Sequence, residues 1–235
     1  APSSADCDAM IAAAQAAGRT LMVGQVLRFY PCWLQILEIL EGGELGDIWG
    51  VQVTRIGPNW DGWPQPWRNS RQLSGGLLME INSHEIDFIC QVGGDVAHVY
   101  AEADHYGETD PSDYPNLAYL SLRFTSGAVG MLHTSSVTAL HEVSGVIQGS
   151  RGTLRYTDGF GPSGQIVVAP REGSSRTLGV RERTVEQPVR REVRLFLQAL
   201  RGEIPPPVTA EQGRRNVRVA EAAYESAQRR APVPV

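Results

Sequence analysis

The sequence predicts an α/β (α+β) fold built on an open, mostly antiparallel sheet with helices on one face. Three observations lead to this prediction. One helix and one short apolar segment open the chain, strand-like segments separated by turn residues fill its middle, and two helices close it. Strands joined by short turns pair antiparallel, and an antiparallel sheet tolerates one face in water. The few helices available are therefore expected to cover only one face.

The first 27 residues predict one helix followed by one strand. Ser3 or Ser4 can cap a helix over residues 6–17, and Gly18 ends it. The apolar run over residues 21–24 is typical of a strand buried on both faces, as in a parallel sheet. A lone helix–strand unit cannot form such a sheet. We therefore expect residues 1–27 to be the last helix and strand of one domain and residues 28–235 to form a second domain.

Three further elements are predicted before the run of strands. Pro31 begins a helix whose apolar residues recur at helical spacing until Gly42 and Gly43. From Asp47 the apolar residues alternate with polar ones, which predicts a strand. A loop rich in tryptophan and proline covers residues 58–66, and a single helix is predicted over residues 77–92.

Strand-like segments then alternate with turn glycines, and two helices follow. The predicted strands are residues 97–106, 117–124, 129–136, 143–148, 152–156 and 165–169, with a further candidate at 183–187. The closing helices are predicted at residues 189–201 and 209–229. Thr209 caps the second of these helices.

Composition excludes several classes of function. The net charge of −5 argues against nucleic acid as a partner, which normally needs a basic face. All 21 basic residues are arginine, so no lysine of this sequence can form a Schiff base or donate a proton. Three scattered cysteines fit neither a disulfide framework nor a zinc site, so no metal is expected. No apolar run approaches the ~18 residues of a membrane span, and the cytoplasm is the expected compartment.

The spacing of Glu80 and His84 is the feature that suggests chemistry. The two residues stand four apart in the predicted helix 77–92, so both side chains would project from one face. A carboxylate one turn from an imidazole orients the ring and raises its basicity, as a proton-transferring histidine requires. Asp87, three residues after His84, is a second candidate carboxylate. A histidine that only pairs within the helix remains the alternative, and a zinc HExxH motif is excluded because this segment has a single histidine.

Six features in their order along the chain resemble the Gfo/Idh/MocA family of oxidoreductases. They are the helix and apolar segment of residues 6–24, Arg28-Phe29-Tyr30-Pro31, Gly43-Glu44-Leu45-Gly46-Asp47-Ile48, Trp67-Arg68 followed by Ser74-Gly75-Gly76, the spacing Glu80-x-x-x-His84-x-x-Asp87, and the tail from Val208 to Val235. Together they cover nearly the whole chain. In the family, a Rossmann domain that binds the cofactor is followed by a C-terminal α/β domain on an open antiparallel sheet. The resemblance implies that residues 1–27 are the end of the Rossmann domain and that residues 28–235 are the C-terminal substrate-binding and oligomerisation domain.

The resemblance also implies residue roles. His84 would be the acid/base at a substrate hydroxyl, and Glu80 takes a position that is usually aspartate in the family. NAD or NADP would be contacted by Trp67, Arg68, Gln25 and Arg28. A sugar, cyclitol or related polyol would be contacted by Asn82, Asp87 and Trp60. Core packing of Trp67 and a structural ion pair of Arg28 remain open alternatives.

Two family features are missing from this sequence, and a second reading follows from them. No GxGxxG motif lies between a first strand and a helix, and no Glu-Lys-Pro segment is present. The alternative to an oxidoreductase is therefore a non-catalytic oligomerisation or sugar-binding module. In either case we expect a homodimer or homotetramer through the open sheet face. Leu120, Leu122 and Phe124 are predicted on one side of that sheet, with residues such as Leu117, Tyr119, Val129 and Met131 on the other.

Overall fold

The computed structural model describes residues 1–58, 66–107, 110–159, 164–180 and 187–235. Nine strands of these residues form one sheet. In chain order they are β1 (Ile48–Ile56), β2 (Val96–Asp104), β3 (Leu117–Phe124), β4 (Val129–Ser135), β5 (Glu142–Gly149), β6 (Gly152–Thr157), β7 (Gln165–Pro170), β8 (Arg176–Gly179) and β9 (Val233–Pro234). The predicted open, mostly antiparallel sheet is confirmed. The sequence did not predict β8 or β9, and most of the candidate strand 183–187 lies outside the described residues.

The sheet is not a simple meander. Its order is β8-β7-β6-β5-β1-β4-β3-β2-β9, so β1 lies between β4 and β5. β1 pairs parallel with β4 and antiparallel with β5. Short connections favour pairing of consecutive strands, and for that reason the sequence predicted β4 beside β5. The chain instead passes over the end of β1 between them.

Seven helices lie among the described residues, and those that contact the sheet pack on its inner face. They are α1 (Ser4–Ala16), α2 (Pro31–Glu41), α3 (Arg71–Ser74), α4 (Leu77–Glu80), α5 (Ser83–Gly93), α6 (Pro188–Leu200) and α7 (Ala210–Arg229), with 3₁₀ turns at Val26–Phe29 and Pro66–Asn69. Ser3 caps α1 by accepting a hydrogen bond from the Asp6 amide. Thr209 and Gln212 form a capping box at the start of α7. None of the described helices is long and apolar enough to cross a membrane.

Residues 21–24 do not form the buried strand that the sequence predicted. Met22 makes a single antiparallel bridge to Thr209, and the amide of Val23 donates to the carbonyl of Val208 at 3.2 Å. Leu21 to Val23 are only partly buried. A strand buried on both faces needs paired strands at its sides, and within the described residues this segment has only the Met22 bridge. It lies against the start of α7 instead.

The single helix predicted over residues 77–92 is two helices. α4 ends at Glu80 and α5 begins at Ser83, with Ile81 and Asn82 between them. Asn82 has φ −86° and ψ 3°, which interrupts the helical path. The side chain of Asn82 is buried and hydrogen-bonded to other parts of the protein. The break therefore changes the direction in which Glu80 and His84 project.

The core lies between the inner face of the sheet and helices α2, α5 and α7. The ring centroids of Trp33 and Phe88 lie 4.7 Å apart, and Phe88 and Tyr156 of β6 form a T-shaped contact with centroids 5.8 Å apart. Along β3 buried and exposed residues alternate, and the predicted inward side chains of Leu120, Leu122 and Phe124 are all buried. On the opposite face, the side chains of Tyr119, Val129 and Met131 are exposed.

Candidate functional site

Three of the residues predicted for the site line one cavity of about 590 Å³. The cavity lies between α1, the segment around residues 21–25, the start of α5 and one face of α7. Gln25, Trp67 and His84 contribute to its wall. Trp67 leaves 39% of its surface exposed, so it is not a core residue. Such a concave, mostly apolar space with a few polar side chains is typical of a small-molecule site.

His84 is held by a hydrogen bond from one side. It is the second residue of α5, it is partly buried, and its Nδ1 lies 2.7 Å from Oε1 of Gln25. The pKa of His84 is lowered to about 4, chiefly because burial disfavours the imidazolium. The positive charge of Arg55 lowers the pKa further, and the charge of Asp87 opposes both effects. His84 is therefore a neutral imidazole at pH 7.

The expected pairing of Glu80 with His84 is absent. Glu80 forms an ion pair with Arg68 at 3.1 Å, and the guanidinium of Arg68 lies over the ring of Trp67 at 5.3 Å. No hydrogen bond joins Glu80 to the imidazole in the described part of the chain. The physical reason is the break between α4 and α5, which removes the common helix face. Glu80 and Arg68 also lie outside the set of side chains that line the cavity.

Arg28 and Asp87 form a buried ion pair. The Nε and one Nη of Arg28 each lie 2.7 Å from a carboxylate oxygen of Asp87. Arg28 also donates to the carbonyl of Pro207 and to Gln212, both at 3.1 Å. The expected contacts of Arg28 with the nicotinamide and of Asp87 with the substrate stay predictions. The structural ion pair, which was the alternative for Arg28, is present in the structure.

Asn82 is fully buried and hydrogen-bonded within the protein, and its contact with substrate stays a prediction. Its Oδ1 accepts from the Thr134 hydroxyl at 2.8 Å, and its Nδ2 donates to Glu85 at 3.1 Å. Glu85 is itself buried and pairs with Arg55 at 3.3 Å. This network fixes the start of α5 to strands β1 and β4. Trp60, the remaining predicted substrate residue, lies outside the described residues.

Asn216 is a cavity residue that the sequence analysis did not identify. It lies on α7, is only 3% exposed, and donates from Nδ2 to Asp87 at 2.8 Å. Its Oδ1 has no hydrogen-bond partner in the described residues. The signal in the sequence was an asparagine, a poor helix former, within the buried face of a long amphipathic helix. Asn216 thus joins the cavity wall to the Arg28–Asp87 pair.

The described residues fit only one end of a nicotinamide dinucleotide. An exposed indole and polar side chains around a cavity suit the nicotinamide ring and its amide, whereas a pyrophosphate is normally held by a glycine-rich turn at a helix N-terminus. Residues 159–164 do spell GxGxxG, but the element that follows them in the chain is strand β7 and not a helix. Across the described residues no group of three His, Cys, Asp or Glu is placed to hold a metal ion.

Comparison with known proteins establishes the family. The family model of the oxidoreductase C-terminal alpha/beta domain matches residues 38–235. The chain therefore belongs to the Gfo/Idh/MocA family of oxidoreductases. It is 26% identical over 232 residues to a myo-inositol 2-dehydrogenase of Thermotoga maritima, a match that covers 94% of this chain and 66% of that protein. It is 29% identical over 166 residues to an uncharacterized oxidoreductase of Streptococcus pneumoniae, which covers 64% of this chain and 41% of the relative.

Solved structures share the fold. An aldose–aldose oxidoreductase from Caulobacter crescentus, complexed with glycerol, superposes with a TM-score of 0.87 at 22% identity and covers all of this chain. A levoglucosan dehydrogenase in complex with NADH gives a TM-score of 0.85 at 20% identity, again over the whole chain. This chain covers 70% and 71% of those two proteins. The comparison confirms the predicted fold class.

Proposed function

We propose that this chain is the substrate-side part of an NAD(P)-dependent oxidoreductase that acts on a CH–OH group of a sugar, cyclitol or related polyol. The observation that carries the proposal is a neutral, hydrogen-bonded imidazole, His84, in the wall of a cavity of about 590 Å³. The chain's membership of an oxidoreductase family and its similarity to an inositol dehydrogenase support the reaction class. In this proposal, residues 1–27 belong to the nucleotide-binding domain and residues 28–235 form the substrate domain.

The proposed chemistry assigns the proton to this chain. Oxidation of a secondary alcohol removes a hydride from carbon and a proton from the hydroxyl. A nicotinamide, when bound, supplies the hydride acceptor. His84, neutral at pH 7 because of its lowered pKa, accepts the hydroxyl proton and returns it in the reverse direction. Trp67 provides a flat apolar surface at the same cavity, which orients the reacting groups and excludes water.

Substitution of His84 tests the proposal in the full-length protein, assayed with NAD or NADP and a panel of polyols. We expect His84→Ala to lower kcat by roughly 10²–10⁴-fold, the usual contribution of a general acid/base. Glu80→Gln is the matched control, because Glu80 is a polar residue near His84 that, among the described residues, makes no hydrogen bond to the imidazole and pairs with Arg68 instead. Its effect is expected to be much smaller. Near-normal turnover by a folded His84→Ala protein would refute the role of His84 and favour a non-catalytic, sugar-binding or oligomerisation module.

A further inference from the structure

Gln25 is hydrogen-bonded to the ring of His84 although 59 positions separate the two residues in the sequence. Its side chain is 5% exposed. Two contacts place it. The backbone amide of Gln25 donates to the backbone carbonyl of Val23 at 3.0 Å. Val23 in turn packs on α7 at Gly213, where a Cβ atom would come within 2.6 Å of Val23 Cγ2. The absence of a side chain at Gly213 therefore allows this segment to lie close against α7.

The orientation of the side-chain amide of Gln25 is fixed by a second hydrogen bond. Its Nε2 lies 3.3 Å from the carbonyl oxygen of Ser83. A carbonyl oxygen only accepts, so the NH₂ group of the amide must face Ser83. The amide oxygen then faces His84, and the same turn of α5 that carries the imidazole also orients its partner.

The protonation of the ring follows from this orientation. An amide oxygen accepts and cannot donate, so the short contact of 2.7 Å requires a hydrogen on Nδ1 of His84. A neutral imidazole carries a hydrogen on only one of its two nitrogens, so Nε2 then has a free lone pair. A charged acceptor in place of Gln25 would also fix the ring, but it would stabilise the imidazolium. A neutral amide fixes the tautomer and leaves the ring uncharged.

We infer that Gln25 is a positioning residue that holds neutral His84 in the Nδ1–H tautomer, so that Nε2 is the atom that exchanges a proton with the substrate hydroxyl. This role differs from the nicotinamide contact that the sequence suggested for Gln25. Only the last step, the exchange with substrate, rests on the proposed function. The tautomer itself is a property of the chain and can be measured without cofactor or substrate.

The test is a long-range ¹H–¹⁵N spectrum of the protein labelled with ¹⁵N-histidine, recorded near neutral pH. The chain has five histidines, and His84 is assigned by the signal lost in His84→Asn. We expect the wild-type ring to carry its hydrogen on Nδ1. Gln25→Leu removes the acceptor and is expected to move the hydrogen, wholly or in part, to Nε2. Gln91→Leu is the matched control, because Gln91 binds Asp87 on the same helix and is expected to leave the tautomer unchanged.

Gln25→Glu provides a second, independent measurement. It keeps an acceptor at the same place but adds a negative charge, so we expect the Nδ1–H to remain and the pKa of His84 to rise by one unit or more. A wild-type ring protonated on Nε2 would overturn the inference, and so would an unchanged tautomer in folded Gln25→Leu. If Gln25→Leu does not fold, an unchanged His84 pKa in Gln25→Glu overturns it. A confirmed tautomer together with an active His84→Ala enzyme would refute the proposed function alone.

Discussion

Asp87 and Arg28 form a bidentate ion pair inside the protein, with both N–O distances at 2.7 Å. The carboxylate of Asp87 also accepts hydrogen bonds from Gln91 at 2.7 Å and Asn216 at 2.8 Å. The pair therefore joins the 3₁₀ turn before α2, helix α5 and helix α7. Because α5 carries His84 and α7 forms one wall of the cavity, the ion pair sets the distance between the two sides of the site.

Asp87→Asn is expected to destabilise the fold strongly. The substitution keeps the shape of the side chain but leaves the charge of Arg28 buried without its partner, which typically costs about 3–5 kcal/mol. The free energy of unfolding in urea measures the effect. Asp8→Asn is the control, since the ion pair of Asp8 with Arg214 is exposed to solvent and is expected to contribute little to stability. Equal, small losses in the two variants would contradict the structural role of Asp87.

The sequence predicted the sheet better than it predicted the site. Alternation in β3 and the cap at Thr209 are local signals, so both were predictable. The break between α4 and α5 also had a local signal, because Asn82 and Ser83 are residues that commonly begin helices. The regular spacing of Glu80 and His84 favoured one continuous helix instead. The two residues are four positions apart, but they lie on different helices and do not share one helix face.

Contacts between distant segments could not be predicted in the same way. Gln25 contacts His84 across 59 positions of sequence, and the neighbouring Val23 packs on α7 at Gly213. No local pattern predicts either contact. The position of β1 between β4 and β5 likewise depends on a pairing across most of the domain. The family resemblance suggested ligand contacts for Arg28 and Asp87. It did not show that the two residues bind each other.

The lowered pKa of His84 predicts a specific dependence of stability on pH. The charges that act on the ring are Arg55 from β1, which lowers the pKa, and Asp87 from α5, which raises it. Between about pH 4 and 6.5 the unfolded chain binds a proton at this residue that the folded chain does not. The free energy of unfolding should therefore fall as the pH falls through this window, by an amount on the order of 3 kcal/mol for this residue.

His84→Asn measures that contribution by difference. Unfolding in urea at several pH values should give a flatter profile between about pH 4 and 6.5 for the variant than for the wild type. His98→Asn is the control, because His98 is exposed on β2. We expect this control to follow the wild-type profile. A variant lacking His84 that keeps the full wild-type slope would show that other groups cause it.

Cofactor binding by the 235-residue chain is expected to be weak. The expectation rests on the sequence, which offers no glycine-rich turn between a strand and a helix, and on the cavity, which suits only the nicotinamide end. Calorimetric titration with NAD and with NADP should show no micromolar binding. A micromolar dissociation constant for either nucleotide would mean that another part of this chain binds the pyrophosphate.

The open face of the sheet carries an exposed apolar patch on β3 and β4. Tyr119, Val129 and Met131 expose 47%, 45% and 36% of their surfaces, and His133 stacks on the ring of Tyr119 with centroids 4.4 Å apart. Monomers seldom expose apolar patches of more than a few hundred Å². A two-fold pairing of identical sheets would bury this patch, and closed two-fold symmetry is the commonest arrangement of homo-oligomers.

We therefore expect the chain to be a homodimer or homotetramer in solution, and a charge placed in the patch to dissociate it. Light scattering at tens of micromolar should give a mass of at least twice 25.6 kDa for the wild type. Met131→Glu should lower the mass, because a carboxylate buried at a two-fold interface lies close to its own copy and both charges lose water. Met10→Glu makes the same change at an exposed methionine of α1 and should leave the mass unchanged. A wild-type mass near 25.6 kDa would rule out the oligomer, and an unchanged mass in Met131→Glu would place its interface elsewhere.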